Sequence, residues 1–197
     1  RWNADKRYLL EIEARGVRIT PTRVIEQEAA VSLRSVLADA GWSHAVIKPT
    51  VSSTGYETWF VTVPCSAQDE QRFARQRARM PVLVQEFAGD VQHGEYSFVF
   101  IAGEYTHCIL KRPAADEFRV HIEHGGTVES VLPEQKQIEW AGSVLATLGG
   151  QPWSYARVDA VGGSAGMMLM EFELLDPELF FLYNRAAAER FADQLLR

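Results

Sequence analysis

An arginine and three acids stand at alternate positions across residues 155–175, YARVDAVGGSAGMMLMEFELL, where two apolar runs flank a Gly/Ser turn. This pattern predicts a β-hairpin. With the turn centred on Ala165, Arg157 falls opposite Glu173 and Asp159 opposite Glu171. The period-two pleat then puts all four on one face. Directly opposed strand residues have Cβ atoms about 4.5 to 5.5 Å apart, so Asp159 and Glu171 repel unless a cation lies between them. A hard divalent ion such as magnesium suits oxygen donors at that spacing. A solvated strand face neutralised by Arg157 is the bland alternative. Against it, the neighbours Met167, Met168, Leu169, Met170, Phe172, Leu174 and Leu175 set the acids in an apolar run, and acids in such company have a partner.

The elements needed to position further charges can be read along the chain. A helix capped by Asn3 and stopped by Gly16 carries Lys6 in its first turn, where a cation opposes the macrodipole but suits a nearby anion. A solvated surface lysine accounts for Lys6 equally. A short strand near 17–19 follows, and then a helix marked by Leu33, Val36, Leu37 and Ala40 and ended by Gly41. A strand over 45–48 delivers Lys48 into PTVSSTGYET, ahead of a strand over 58–63. Ser52, Ser53, Thr54 and Gly55 are small enough for backbone N–H groups to close around phosphate, and Lys48 adds a point charge. This is no Walker loop, because GxxxxGK[ST] is absent and a strand rather than a helix follows.

Residues 69–79 read as an exposed arginine-rich helix and 81–88, PVLVQEFA, as a buried strand. Residues 96–102 and 106–110 read as a hairpin turning at Gly103-Glu104. Lys111, Arg112 and Arg119 gather around FRVHIEHGG. His121 and His124 lack a third His or Cys at ligand spacing, so they are not read as a zinc site. Ile138, Ala141, Leu145 and Leu148 mark a helix stopped by Gly149-Gly150. Ala188, Phe191 and Leu195 mark a closing amphipathic helix.

A chain of 197 residues with 47% hydrophobic content can bury a real core as one domain or two lobes. The formal charge of −6 offers no broad basic field for nucleic acid. No apolar segment approaches membrane-spanning length. Two cysteines, Cys65 and Cys108, form neither a disulfide framework nor a metal knuckle, which points to a reducing, cytoplasmic compartment. The start at Arg1, entering a helix at once, reads as part of a longer polypeptide.

Taken in order, DK in the first helix, IKPTVSSTG, VQEFAGDVQHGE, LKRP…DEFRVHIEHGG, RVD and EFE resemble an ATP-grasp ligase over nearly the whole chain. The resemblance is strongest to the glutathione synthetase, ribosomal-protein glutamate ligase and D-alanine ligase branches. It implies an α+β ATP-grasp fold whose two lobes, with antiparallel sheets and flanking helices, enclose the nucleotide. The small ATP-binding lobe would cover 17–86 and the larger lobe 87–197, with the N-terminal pre-ATP-grasp domain outside the chain.

By the same resemblance, Lys6 and Lys48 contact the nucleotide phosphates and the loop 50–55, with Ser52, Ser53, Thr54 and Gly55, covers them. Gln85, Glu86, Phe87 and Ala88 receive adenine, and Glu95 holds the ribose hydroxyls. Lys111 is a further phosphate contact, Arg119 holds substrate or the transferring phosphate, and Asp159, Glu171 and Glu173 are the magnesium ligands. Arg157 matches the arginine of the D-alanine ligase RVD motif. The implied cofactors are ATP and Mg²⁺, two ions, with Mn²⁺ able to substitute. The implied partners are a small-molecule carboxylate and an amine, with neither nucleic acid nor membrane, in a homodimer or homotetramer. Two departures stand out: Glu173 occupies a metal position usually held by Asn, and His121 an Asn position after Arg119.

The implied reaction passes the γ-phosphate of ATP to a carboxylate, giving an acylphosphate that an amine attacks. The run LMEFELLDPELF also resembles the cyclo-ligases that close O-ureidoserine to cycloserine. A nucleotide-binding module without turnover is the non-enzyme alternative, although it has little need of a third carboxylate.

Overall fold

The computed structural model describes residues 2–115, 117, 119–120, 125–149 and 153–196. His121 and His124 lie outside these described residues, as does Gly150. The chain forms two compact units, one of Arg1–Tyr8 with Thr20–Ala88 and the other of Leu9–Ile19 with Gly89–Arg197. Among the described residues no helix is long and apolar enough to cross a membrane.

The first unit holds an antiparallel four-stranded sheet in the order β1 (Thr22–Ile25), β4 (Val82–Glu86), β2 (His44–Pro49), β3 (Trp59–Thr62). Two helices cover one face, α2 (Leu33–Ala40) and α3 (Ala67–Arg79). Each begins at a side-chain cap, and α3 starts two residues before the expected 69. Ser32 caps α2 through Ser35 N, and Ser66 with Asp69 forms a reciprocal capping box on α3. Gly41 ends α2 in the left-handed conformation, at φ 73°. Leu33, Leu37 and Phe73 pack on Ala45, Ile47, Trp59, Val82 and Val84. By strand alternation, Lys48 and Gln85 point to the opposite face.

The second unit holds an antiparallel five-stranded sheet in the order β7 (Thr127–Val131), β6 (Glu104–Arg112), β5 (Glu95–Ile101), β8 (Tyr155–Gly163), β9 (Gly166–Glu173). Helix α4 (Gln135–Thr147) packs on one face, where Trp140 meets Phe98 edge-on. On the other face Val99, Ile101 and Ile109 are covered by Leu179, Phe180 and Ala187, the last from α5 (Arg185–Leu195). The rest of that second face carries the charges.

Several local expectations are corrected. The first regular helix, α1 (Tyr8–Glu13), starts later than an Asn3 cap implies. Trp2–Ala4 is a short 3₁₀ turn and the Asp5 side chain accepts from Arg7 N, so Lys6 sits in the turn before the helix. The strand near 17–19 is a single parallel bridge, Ile19 to Leu169. β1 and β7 escaped the periodicity reading, since each is a short edge strand with one hydrogen-bonded neighbour. The β5–β6 turn lies at Ala102-Gly103, both left-handed at φ 55° and 77°, one residue earlier than expected.

Candidate active site

The hairpin β8–β9 has the expected pairing at its charged end: Arg157 opposes Glu173, and Asp159 opposes Glu171. The turn is not where the simple reading put it. Gly163 pairs with Gly166, Ala160 with Leu169, and the register shifts between Asp159 and Ala160, so Met170 is an extra residue in β9. Continued without that bulge, the tip register would place Glu171 beside Val158, on the α4-facing side of the sheet. A one-residue slip inverts every side chain beyond it. The bulge thus brings Glu171 and Glu173 to the face of Arg157 and Asp159.

Neighbouring strands complete the cluster. Glu95 opposes both Lys111 on β6 and Val161 on β8, and Ser97 opposes Asp159. Lys111 Nζ lies 2.5 Å from Glu95 Oε1 and 3.5 Å from Asp159 Oδ2. Asp159 is 2% exposed. It accepts from Ser97 Oγ at 2.6 Å, and from Arg157 Nε at 3.0 Å and Nη2 at 2.8 Å. Arg157 Nη2 also reaches Glu173 Oε1 at 2.9 Å, and Nη1 donates to the Glu178 carbonyl at 3.0 Å. This planar fork is satisfied in a way an ammonium could not reproduce. The guanidinium is therefore an ion-pair partner of both acids here, which the hairpin pairing with Glu173 alone did not anticipate.

Electrostatics divide the acids. Burial opposes ionisation of Asp159, but Arg157 and Lys111 outweigh it and hold the carboxyl below its usual range. Burial, with Asp159 and Glu171 nearby, pushes Glu173 up to about 8 despite Arg157, and Glu173 and Glu171 share a side-chain hydrogen bond. Burial likewise raises Glu95 against the pull of Lys111. Lys111 is held above its usual value because Asp159 and Glu95 outweigh its burial. Two cations, Lys111 and Arg157, thus face four carboxyl groups, Glu95, Asp159, Glu171 and Glu173, and burial raises two of the four, Glu95 and Glu173. Fully ionised, this set lacks two positive charges, which is what a divalent cation with hard oxygen donors supplies. No three acids, histidines or cysteines among the described residues converge as a ready cage. Asp159 is turned to Ser97 and Arg157 instead.

Within the first unit, Lys6 N donates to the Thr50 carbonyl at 2.7 Å and Lys6 Nζ to the Ser52 carbonyl at 2.8 Å. The chain Ser52, Ser53, Thr54 and Gly55 forms the loop between β2 and β3, with Thr54 and Gly55 both left-handed at φ 49° and 70°. Lys48 is 9% exposed at the end of β2. Gln85 Nε2 donates to Thr22 Oγ1 at 2.8 Å on the same side as Lys48. The amides of Glu86 and Phe87 serve the carbonyls of Pro21 and His44, and the Phe87 ring meets Phe60 edge-on, with Ala88 next in the chain. Arg119 Nη2 pairs with Glu117 at 2.8 Å. Glu95, Lys111, Arg157, Asp159, Glu171 and Glu173 are thus brought together within the second unit, and Lys6 with Ser52 within the first. Sequence reading missed Ser97, which strand alternation from Glu95 could have found, and the Glu178 carbonyl, for which no sequence signal exists.

Residues 10–178 match the family model for the prokaryotic glutathione synthetase ATP-grasp domain. The cycloserine biosynthesis protein DcsG of Streptomyces lavendulae is 30% identical over 219 residues, covering 99% of this chain and 69% of that protein. The crystal structure of D-cycloserine synthetase DcsG superposes with a TM-score of 0.85 at 27% identity, over 98% of this chain and 69% of that one. A Bacillus anthracis D-alanine–D-alanine ligase solved with ATP has a TM-score of 0.72 at 15% identity, over 98% of this chain and 65% of that one, and shares the fold.

Proposed function

The chain belongs to the ATP-grasp ligase superfamily, in the prokaryotic glutathione synthetase ATP-grasp family, and from that premise we propose that it activates a small carboxylic acid with ATP and joins it to an amine. The observation that carries this reading is the row of Lys111, Arg157 and four carboxyl groups on one face of the second sheet. Ligase family and α+β ATP-grasp fold agree with it.

In the proposed reaction a carboxylate oxygen attacks the γ-phosphorus of ATP and the bond to the β-bridging oxygen breaks, releasing ADP and an acylphosphate. The amine then attacks the acyl carbon, phosphate leaves, and the amine loses a proton. Lys48, Lys111 and Arg157 neutralise charge that develops on the transferring phosphoryl group, a task of positioning and electrostatics. Lys6 and the loop of Ser52, Ser53, Thr54 and Gly55 bind phosphate oxygens. Gln85, Glu86, Phe87 and Ala88 contact adenine, Glu95 the ribose hydroxyls, and Arg119 the acid substrate. Asp159, Glu171 and Glu173 would hold magnesium, which supplies Lewis-acid screening of the phosphate oxygens.

A second reading is specific: ring closure of an amino-acid derivative, the amine belonging to the acid's own molecule. It is favoured by 30% identity to a cycloserine biosynthesis protein across almost the whole chain. Incubation with ATP, magnesium and ¹⁸O-carboxyl-labelled amino acids tests both. Transfer of one ¹⁸O to phosphate marks the acylphosphate, and a requirement for added amine separates joining from cyclisation. ADP release with no ¹⁸O in phosphate for every acid tried would remove the acylphosphate from the reading.

A further inference from the structure

We infer that His107 is a positioning residue for Arg157, acting through the strap of residues 178–180 that crosses the sheet above both. This rests on the reading that Arg157 contacts the transferring phosphate. His107 on β6 opposes Val99 on β5, and Val99 opposes Arg157 on β8, so the three form one row on the charged face. The strap passes over Val99 and is tied on either side. Arg157 Nη1 donates to the Glu178 carbonyl at 3.0 Å, and His107 Nε2 lies 3.0 Å from the next carbonyl, that of Leu179. A carbonyl oxygen only accepts, so Nε2 carries the hydrogen. On its other side the ring meets Thr106 Oγ1 at 2.9 Å, which orients it edge-on to the strap.

The two ties act on adjacent peptide groups. Phe180 follows them in the left-handed conformation at φ 52°, its amide donating to Glu178 Oε1 at 2.7 Å and its ring 5.8 Å from Arg157 Cζ. A non-glycine residue persists at such a φ only where its surroundings over-determine it. His107 supplies one of those constraints. Without the bond to Leu179, the Glu178 carbonyl one peptide away loses its fixed direction, and the fork of Arg157 loses its third anchor. A shift of about 1 Å in a positioning group can lower a rate on the order of a hundredfold. A histidine that merely filled the core would affect stability and leave Arg157 in place.

The test compares His107→Leu, which keeps bulk but has no donor, with His107→Gln, whose amide restores one. Two quantities are measured on the folded proteins: exchange of the Arg157 guanidinium protons by NMR, and the gain in ADP affinity, with magnesium, on adding aluminium fluoride as a mimic of the transferring phosphoryl group. His107→Leu should speed Arg157 proton exchange and remove about tenfold of the aluminium fluoride gain, while ADP alone binds as before. His107→Gln should recover most of both. Unchanged Arg157 exchange and an unchanged gain in folded His107→Leu overturn the inference. Arg157→Lys is the control for the underlying reading. If it keeps the full gain, the phosphate role of Arg157 fails, while the exchange measurement still decides whether His107 holds it.

Discussion

At the scale of residues, the site depends on which hydrogen bonds each buried charge can complete. Arg157 donates through Nε, Nη1 and Nη2 to Asp159, Glu173 and a carbonyl, so lysine can replace its charge but not its geometry. Arg157→Lys should lower kcat and kcat/KM together, by about 2 to 4 kcal/mol of barrier, with ATP affinity nearly unchanged. Steady-state kinetics with the acid substrate checks this, and wild-type turnover would remove the phosphate assignment. Ser97 is a separate case. Its hydroxyl donates to a carboxylate that is 2% exposed, so Ser97→Ala should destabilise the protein by about 1 to 3 kcal/mol in urea unfolding. A change below 0.5 kcal/mol would mean that Arg157 and Lys111 alone satisfy Asp159.

Elements decide which face the residues occupy. Deleting Met170 removes the bulge and leaves a regular ladder in which Glu171 still follows Leu169 opposite Asp159, and Glu173 still opposes Arg157. Magnesium-dependent ATP binding, followed by calorimetry, should then persist in a protein with wild-type circular dichroism. Binding that falls to background would show that the acids need the local twist of the bulge as well as their pairing. Gly94 tests the entry to β5. Its φ of 116° is strained for any side chain, and a Cβ there would lie 2.6 Å from Leu110 Cδ1. Gly94→Ala should cost about 1 to 3 kcal/mol of stability and disturb Glu95, the next residue. A thermal midpoint equal to wild type would mean that Leu110 and the backbone adapt freely.

For the whole molecule, the charge deficit of the second unit links ligand to stability. Four carboxyl groups surround two cations, and burial with the neighbouring acids pushes Glu173 up to about 8. Magnesium and ATP at a hundredfold excess over Kd should add about 2.7 kcal/mol to the stability of the folded state. For a chain of this size that corresponds to a rise in Tm of about 5 to 10 °C. Scanning calorimetry with magnesium and with EDTA measures the difference. Asp159→Asn should abolish the magnesium-dependent part, and an identical rise in both solutions would take magnesium out of nucleotide binding.

What the sequence determined was local. Alternation with period two put Arg157, Asp159, Glu171 and Glu173 on one strand face, and capping residues set the limits of α2 and α3, because these depend on neighbours a few positions away. Even there the agreement had a hidden part. The pairing of Asp159 with Glu171 followed from a turn assumed one half-residue late, and the bulge at Met170 made up the difference. β1 and β7 escaped notice because a short edge strand owes its existence to its neighbour. Tertiary structure alone decided that Lys111 and Glu95 lie beside Asp159, that Ser97 completes its shell, and that the Glu178 carbonyl, 21 residues further along the chain, holds Arg157. Those contacts join strands and a strap far apart in sequence, and no periodicity records them, because their geometry exists only after the sheet has formed.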